Sequence, residues 1–255
     1  MNSVVILEWT FSPPDYFESR REIEQDDYTM IIAEGKVEVK MDSAVYDANP
    51  LIRNSLHEEL KRRFLGVQLC NHKPYELSNP PTPNRLYPDG HRVLELSGSC
   101  VSVSSANVEY QILRDGIIAA DSRQDRIQKG KNLADLFIKH QKDGVLTFLL
   151  ESYNASVNDP NDELVHLYDI REALSRKFGG SDERARSKLG ISKKQWSNFG
   201  ALCNHAPFRQ RRHRGNHETL RDATYAEMSE ARGTAKTMIE AYLMYLDITT
   251  TSVRP

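Results

Sequence analysis

At 255 residues the chain is long enough for one or two domains with real hydrophobic cores, and the absence of any extended low-complexity tract argues against a disordered or fibrous class. No run of about 18 apolar residues occurs, so no membrane-spanning helix is expected. The apolar stretch within Met1–Glu8 is too short, and lacks the basic flank, for a signal peptide. The net charge of −2 conceals a segregation. Arg171 to Arg221 holds 13 Lys and Arg against 4 Asp and Glu, a net of +9 that leaves −11 for the rest. Such a block suits nucleic acid or an acidic partner, or an internal dipole in which acidic and basic parts dock on each other. Three cysteines, Cys70, Cys100 and Cys203, are an odd and sparse set that fits free thiols in a reducing cytoplasm.

In chain order, Val4–Phe11 is a β-branched and aromatic run closed by Pro13-Pro14, which predicts a strand. Tyr28–Ala33 and Lys36–Met41 flank Glu34-Gly35, and the alternation of the second run predicts a hairpin. Leu51, Ile52, Leu56, Leu60, Phe64 and Leu65 recur at helical spacing between Pro50 and Leu69. The proline-rich stretch from Pro74 to Asp89 reads as loop. His91–Leu96, Cys100–Ser104 and Ile117–Ala120, the last after an Asp115-Gly116 turn, are further strand candidates.

From about Asp121 the strand signals stop. Leu133, Leu136, Phe137 and His140 form a helical stripe, with Gly144 as a break before Val145–Tyr153. Asp162 is placed to cap a helix carrying Leu164, Leu167, Tyr168, Leu174 and Phe178, which Gly179-Gly180 ends. Ser181 opens a short helix to Leu189. Ser192-Lys193-Lys194-Gln195 is a capping box for a helix with Trp196, Phe199 and Cys203 on one face, and Pro207 closes it. Thr224–Glu227 is a second capping box. Met228, Ala231, Ala235, Met238, Tyr242 and Tyr245 then make a bundle seam or a dimer seam. The expected fold class is α+β: a small β-rich N-terminal domain over residues 1–122 and an all-α helical bundle over 123–255.

Chemistry concentrates in Arg209–His217, where four arginines and two histidines occupy nine residues. Guanidinium forks match phosphate oxygens in pairs, and histidine moves protons near neutral pH. Together they suggest phosphodiester chemistry or nucleic-acid binding. The bland alternative is a solvated basic loop neutralised by carboxylates such as Glu163, Asp169 and Glu172. The pairs Cys70-Asn-His72 and Cys203-Asn-His205 lack the usual spacing of a structural zinc site, and no metal or cofactor is expected.

Arg212-His-Arg-Gly-Asn-His217 is an Arg-x4-His element, and Arg211 stands in Arg-x5-His register with the same histidine. This resembles the Arg-x4-6-His motif of HEPN domains, small all-α bundles, many of them metal-independent endoribonucleases of toxin–antitoxin and anti-phage systems. The surrounding sequence, with Asp162–Leu174, Phe178-Gly-Gly and Arg212-His-Arg-Gly, is also similar to the C-terminal helical domain of uncharacterised bacterial proteins. The resemblance covers roughly residues 133 to 246. It implies Arg212 and His217 as catalytic residues acting on RNA across a homodimer, with Arg211, His213 and Arg214 tracking its backbone; the basic pattern itself adds Arg209, Lys193 and Lys194 as candidate nucleic-acid contacts.

Upstream, Ser181–Leu202 reads as two short helices around Gly190-Ile191-Ser192, bearing Arg184, Arg186, Lys188, Lys193 and Lys194. This looks like a helix-turn-helix, although Ala185 and Gly190 are five apart where four is usual. The alternatives to an RNase are therefore a non-catalytic nucleic-acid-binding or regulatory module, or a helical subunit whose basic loop meets an acidic protein partner.

Overall fold

A computed structural model describes residues 3–49, 51–80, 83–87, 92–93, 111–114, 117–212 and 219–251. Residue contacts divide the chain into two compact units, Met1–Cys70 with Tyr75–Ala134, and Asn71–Pro74 with Asp135–Pro255. The architecture is α+β, an antiparallel sheet followed by a helical region.

The N-terminal unit is organised by β1 (Val4–Ser12), whose Val5, Leu7, Trp9 and Phe11 are buried while Glu8 and Thr10 face outward. That period of two defines one core face of a sheet. The strand β1 pairs antiparallel with β4 (Lys36–Asp42), β5 (Glu76–Leu77) and β6 (Asn84–Leu86). With β2 (Arg21–Glu24), β3 (Thr29–Ala33) and β7 (Arg92–Val93), the main path runs β2-β3-β4-β1-β6-β7.

The expected hairpin is β3–β4. Its turn places Glu34 at φ 50° and Gly35 at φ 78°, the left-handed pair that matches strand twist. Phe11 N–H donates to Gly35 O at 2.8 Å, and a Cβ on Gly35 would sit 3.2 Å from Phe11 O, so glycine is needed there for space as well as for φ. After α1 (Ser43–Ala48), α2 (Ile52–Asn71) lays Leu56, Leu60, Phe64 and Val67 into the sheet's core. Two buried hydrogen bonds fix its rotation: Tyr16 Oη to Phe64 O and Trp9 Nε1 to His57 Nδ1.

Several elements depart from the sequence reading. The strand β2 is charged and short, as edge strands often are, so it carries no alternation to detect. The proline-rich loop contains β5 and β6, too brief to carry a pattern of their own. Of the two strands expected between 91 and 104, Arg92–Val93 appears as β7, while Cys100–Ser104 lies outside the described residues. The Ile117–Ala120 strand is found in β9 (Ile117–Asp121), paired with β8 (Gln111–Arg114) as a separate two-stranded sheet. The helix α3 (Ser122–Lys139) follows.

In the helical unit, α4 (Gly144–Asn158) begins afresh because the Asp143 carboxylate accepts the Leu146 N–H at 2.7 Å. The central helix is α5 (Glu163–Lys177), whose Leu164, Leu167, Ile170 and Leu174 are fully buried. It packs on α4, α6 (Asp182–Leu189), α7 (Lys193–Asn204) and α8 (Tyr225–Thr251). Asp162 occupies the N-cap position of α5 but its side chain makes no capping bond. Both expected capping boxes form, at Ser192/Gln195 and at Thr224/Glu227. The α8 seam is bundle core: Ala231, Ala235, Met238 and Tyr242 are fully buried, and Tyr245 packs edge-on against Phe178.

Glu163 does not serve the arginine cluster as the sequence suggested. The start of α5 meets α8, where Arg232 grips both carboxylate oxygens at 2.6 and 2.8 Å, and His72 Nε2 lies 3.2 Å away. His72 also meets the Tyr153 hydroxyl at 3.1 Å. Burial works to raise the Glu163 pKa, and the bonds from Arg232 and His72 outweigh it, so the carboxyl sits below the usual glutamate range. Its stabilisation is therefore complete above the unfolded-state pKa and is lost as pH falls through the lower folded value. Glu163→Gln should cost about 2–3 kcal/mol at neutral pH, less than the 3–5 of a fully buried pair because the Arg232 side chain keeps 30 % exposure. Urea midpoints at neutral and acidic pH should show the wild type losing its advantage over the variant on acidification.

Candidate nucleic-acid interface

The geometry of the basic region starts from Arg171 on α5. Its guanidinium, in a side chain 15 % exposed, donates to Asp182 in the first turn of α6 at 2.7 Å and lies over the Trp196 ring of α7 at 5.3 Å. The helix α7 admits it at Gly200, where a Cβ would fall 1.9 Å from Arg171 Nη1. One side chain thus joins α5, α6 and α7. Burial works to raise the Asp182 pKa, and hydrogen bonding led by Arg171 overcomes it and holds the carboxyl below its ordinary range.

The helices α6 and α7 meet through a three-residue turn. Ser181 caps α6 by accepting the Arg184 N–H, and Gly190 ends it in the left-handed conformation at φ 65°. Ile191 N–H then donates back to Arg186 O at 3.0 Å, a closure that needs such a residue at the helix end. Ser192 caps α7 through its box with Gln195. Ala185, Leu189, Ile191, Trp196, Phe199 and Cys203 are buried together. The side of α7 left outside carries Lys193, Lys194, Gln195, Ser197, Asn198 and Ala201, all exposed. Between Ile191 and His217 the sequence contains no Asp or Glu.

Beyond α7 the chain is tied down residue by residue. Phe208 is buried and bridges to Arg221. The Arg221 guanidinium covers the Phe208 ring at 4.5 Å and forks onto Glu227 at 2.7 and 2.9 Å. Arg209 N–H donates to Arg221 O, and its side chain is exposed. Arg211, expected to track a phosphate backbone from the surface, is 1 % exposed. Its Nη1 donates to Asn204 O at 2.7 Å, while Nε and Nη2 meet no partner among the described residues. The last carbonyls of α7 carry the negative end of the helix dipole, which offsets part of the cost of burying this cation. Arg211 is thus an anchor of the arm and is not on its contact surface.

Arg212 is exposed at the surface, with its side chain 35 % accessible. It pairs with Glu172 at 2.5 Å and lies over the Tyr168 ring at 5.4 Å. Its own N–H donates to Cys203 O at 3.3 Å, a second tie to the last turn of α7. Asp169 lies on the same helix. Burial raises its pKa, with neighbouring Glu172 adding to the rise and Arg212 opposing it. His213, Arg214 and His217 lie outside the described residues.

The two groups of cations differ in their partners. Arg171, Arg176, Arg212, Arg221 and Arg232 each meet a carboxylate. Arg184, Arg186, Lys188, Lys193, Lys194 and Arg209 form no ion pair among the described residues. The loop-neutralisation expected from sequence thus holds at Glu172 for Arg212 but does not extend to α6 and α7.

In the sequence Arg171 and Asp182 stand out for no role, and Tyr168 only as part of an apolar helical stripe. One signal for them existed: Gly200 stands inside an otherwise regular helical pattern, where glycine costs about 1 kcal/mol against alanine and a packing reason can offset that cost. Among the described residues no group of His, Cys, Asp and Glu is placed to hold a metal ion, and no helix is long and apolar enough to cross a membrane. Comparison with protein-family models, curated proteins and solved structures finds no match for the chain.

The Arg171 contact should govern the pose of α7. Arg171→Met keeps the stem but removes the fork, and should cost about 1–2 kcal/mol, the range of a charged hydrogen bond and a cation–π contact discounted for the exposure of Asp182. Amide exchange at Trp196 and Phe199 should accelerate in this variant more than in Asp182→Asn, which leaves the ring contact intact.

Proposed function

We propose that the helical unit binds nucleic acid through the cations of α6, α7 and the arm that starts at Arg209. The observation that carries this reading is the set of six Lys and Arg side chains with no ion-pair partner among the described residues, beside a 191–217 segment without acidic residues. A solvated basic face built only for solubility has no need to exclude carboxylates over such a length. A polyanion rewards it, because each phosphate contacted releases counterions and a nearby carboxylate would oppose the contact. Changing Lys193, Lys194 and Arg209 together to alanine removes only exposed side chains. It should weaken binding of generic RNA or DNA at least tenfold and lower the slope of log affinity against log salt by about 2–3. Fluorescence anisotropy at a series of salt concentrations measures both, and an unchanged slope removes nucleic acid from this surface.

A second reading is favoured by the way Arg212 is held. Glu172 and Tyr168 hold it at the surface in one orientation, where a phosphate can compete with Glu172 for the guanidinium fork. In this reading the chain is a metal-independent endoribonuclease of a bacterial immunity or toxin system, acting as a cytoplasmic homodimer. The RNA 2′-oxygen attacks the adjacent phosphorus and the 5′-oxygen leaves. His217 takes the proton from the first or supplies one to the second, and Arg212 stabilises the charge gathering on the phosphoryl oxygens. Purified protein should then cleave single-stranded RNA in EDTA and leave a 2′,3′-cyclic phosphate. His217→Ala should abolish cleavage and keep binding, whereas Arg212→Ala should weaken both. A monomeric protein that leaves RNA intact ends this reading and leaves the binding reading standing.

A further inference from the structure

The geometry points to a more specific ligand: we propose that α6 and α7 form a helix-turn-helix that reads double-stranded DNA, with α7 lying in the major groove. This rests on the nucleic-acid reading above and names its substrate class. Four observations converge on it. The first is the connection, a left-handed Gly190 followed by a buried Ile191 and the N-cap Ser192, so that two helices are joined by three residues with glycine leading. The second is the rotation of α7 about its axis. Trp196, Phe199, Gly200 and Cys203 face the core, and Arg171 locks them there through the Trp196 ring and the Gly200 gap. The opposite stripe of Lys193, Lys194, Ser197, Asn198 and Ala201 is thereby held outward as a rigid surface. The fifth-residue offset of Ala185 from Gly190 does not disturb this, because Ala185 is fully buried and the helices close around it.

The third observation is the chemistry of that stripe. It contains no carboxylate and no large apolar residue, which sets it apart from a protein-docking face, whose centre favours aromatic and aliphatic anchors. Its groups match base edges in the major groove. An asparagine pairs in bidentate fashion with adenine N6 and N7, a lysine reaches guanine O6 and N7, a serine accepts either, and an alanine methyl meets the thymine methyl. At about 1.5 Å per residue a helix of 12 residues is about 18 Å long, enough to lie along a groove that is about 12 Å wide and admits one helix. The major groove of A-form RNA is too narrow for this, so the geometry selects B-form DNA. The fourth observation is the arm. Arg211 and the Arg212 N–H bind the carbonyls of Asn204 and Cys203 at the end of α7, so the arm bearing Arg209 is fixed to the reading helix itself. Base-reading groups flanked by such cations are the division of labour expected at a DNA interface, where phosphate contacts position and base contacts specify.

The test uses the full chain and a library of randomised duplex DNA. Selection should yield a consensus. The wild type should bind that duplex more tightly than a scrambled duplex, the same sequence as double-stranded RNA, or either single strand. Asn198→Ala, an exposed change that leaves the fold intact, should lower the preference for consensus over scrambled duplex by about 5- to 100-fold, the effect of one bidentate base contact. It should alter binding to the scrambled duplex less than twofold. Arg209→Ala, on the arm beside the reading helix, should weaken both duplexes alike. If no consensus emerges, if single-stranded or double-stranded RNA is bound as well as DNA, or if Asn198→Ala leaves the preference unchanged, the duplex-reading inference is overturned while nucleic-acid binding stands. If no nucleic acid of any form is bound at low salt, both fall.

Discussion

A single guanidinium, that of Arg171, decides the geometry of the basic region. Two short helices cannot hold a fixed arrangement on their own: α6 has eight residues and α7 twelve, lengths at which isolated helices are marginal in water. Arg171 reaches from the central helix α5 to both of them at once. It bonds the first turn of α6, stacks on the indole of α7 and fills the gap at Gly200. The charge is retained because Asp182 neutralises it and two aromatic faces, Tyr168 and Trp196, receive it with little competition from water. Everything offered to solvent on α7 follows from this lock, since fixing one face of a helix fixes the opposite one.

The arm after α7 follows the same economy. Cations that serve the fold are turned inward or matched to acids: Arg211 to the end of α7, Arg221 to Glu227 and Phe208, Arg232 to Glu163. The cations on the outer side of α6 and α7 have no such employment among the described residues. A count of arginines in the sequence merges these two populations. The structure separates them by burial and pairing among the described residues.

The N-terminal unit rests on a different constraint. Its core face is set by the alternation in β1 and the mirrored alternation in β4, and α2 adds one apolar stripe with Phe64 at its centre, packed among Phe11, Tyr16, Phe17 and Tyr75. The aromatic cluster makes this a conventional sheet-and-helix core. Its outward faces carry charged and polar side chains such as Glu8, Thr10 and Lys36.

Local rules made much of the fold legible in the sequence. The hairpin at Glu34-Gly35, the two capping boxes, the glycines that end α5 and α6, and the periodic stripes of α2, α5 and α8 each depend on residues within a turn or two of one another, and such signals survive in one dimension. The α+β class follows from them. The elements missed, β2, α1, β5, β6 and β8, are short pieces made stable by their neighbours, and no local pattern encodes them. The candidate site was legible as composition only. The basic block was plain, but whether a given arginine lies inside or outside depends on what stands across from it. Glu163 went to Arg232, and Arg211 went into the protein, because α5, α7 and α8 converge from positions far apart in the chain. Sequence alone determined the class of fold, the helix ends and the sign of the surface, since these are set by local propensity and net charge. Only the tertiary structure decided which cations are partnered and which face of α7 is presented, since pairing and burial are long-range relations that no spacing along the chain records.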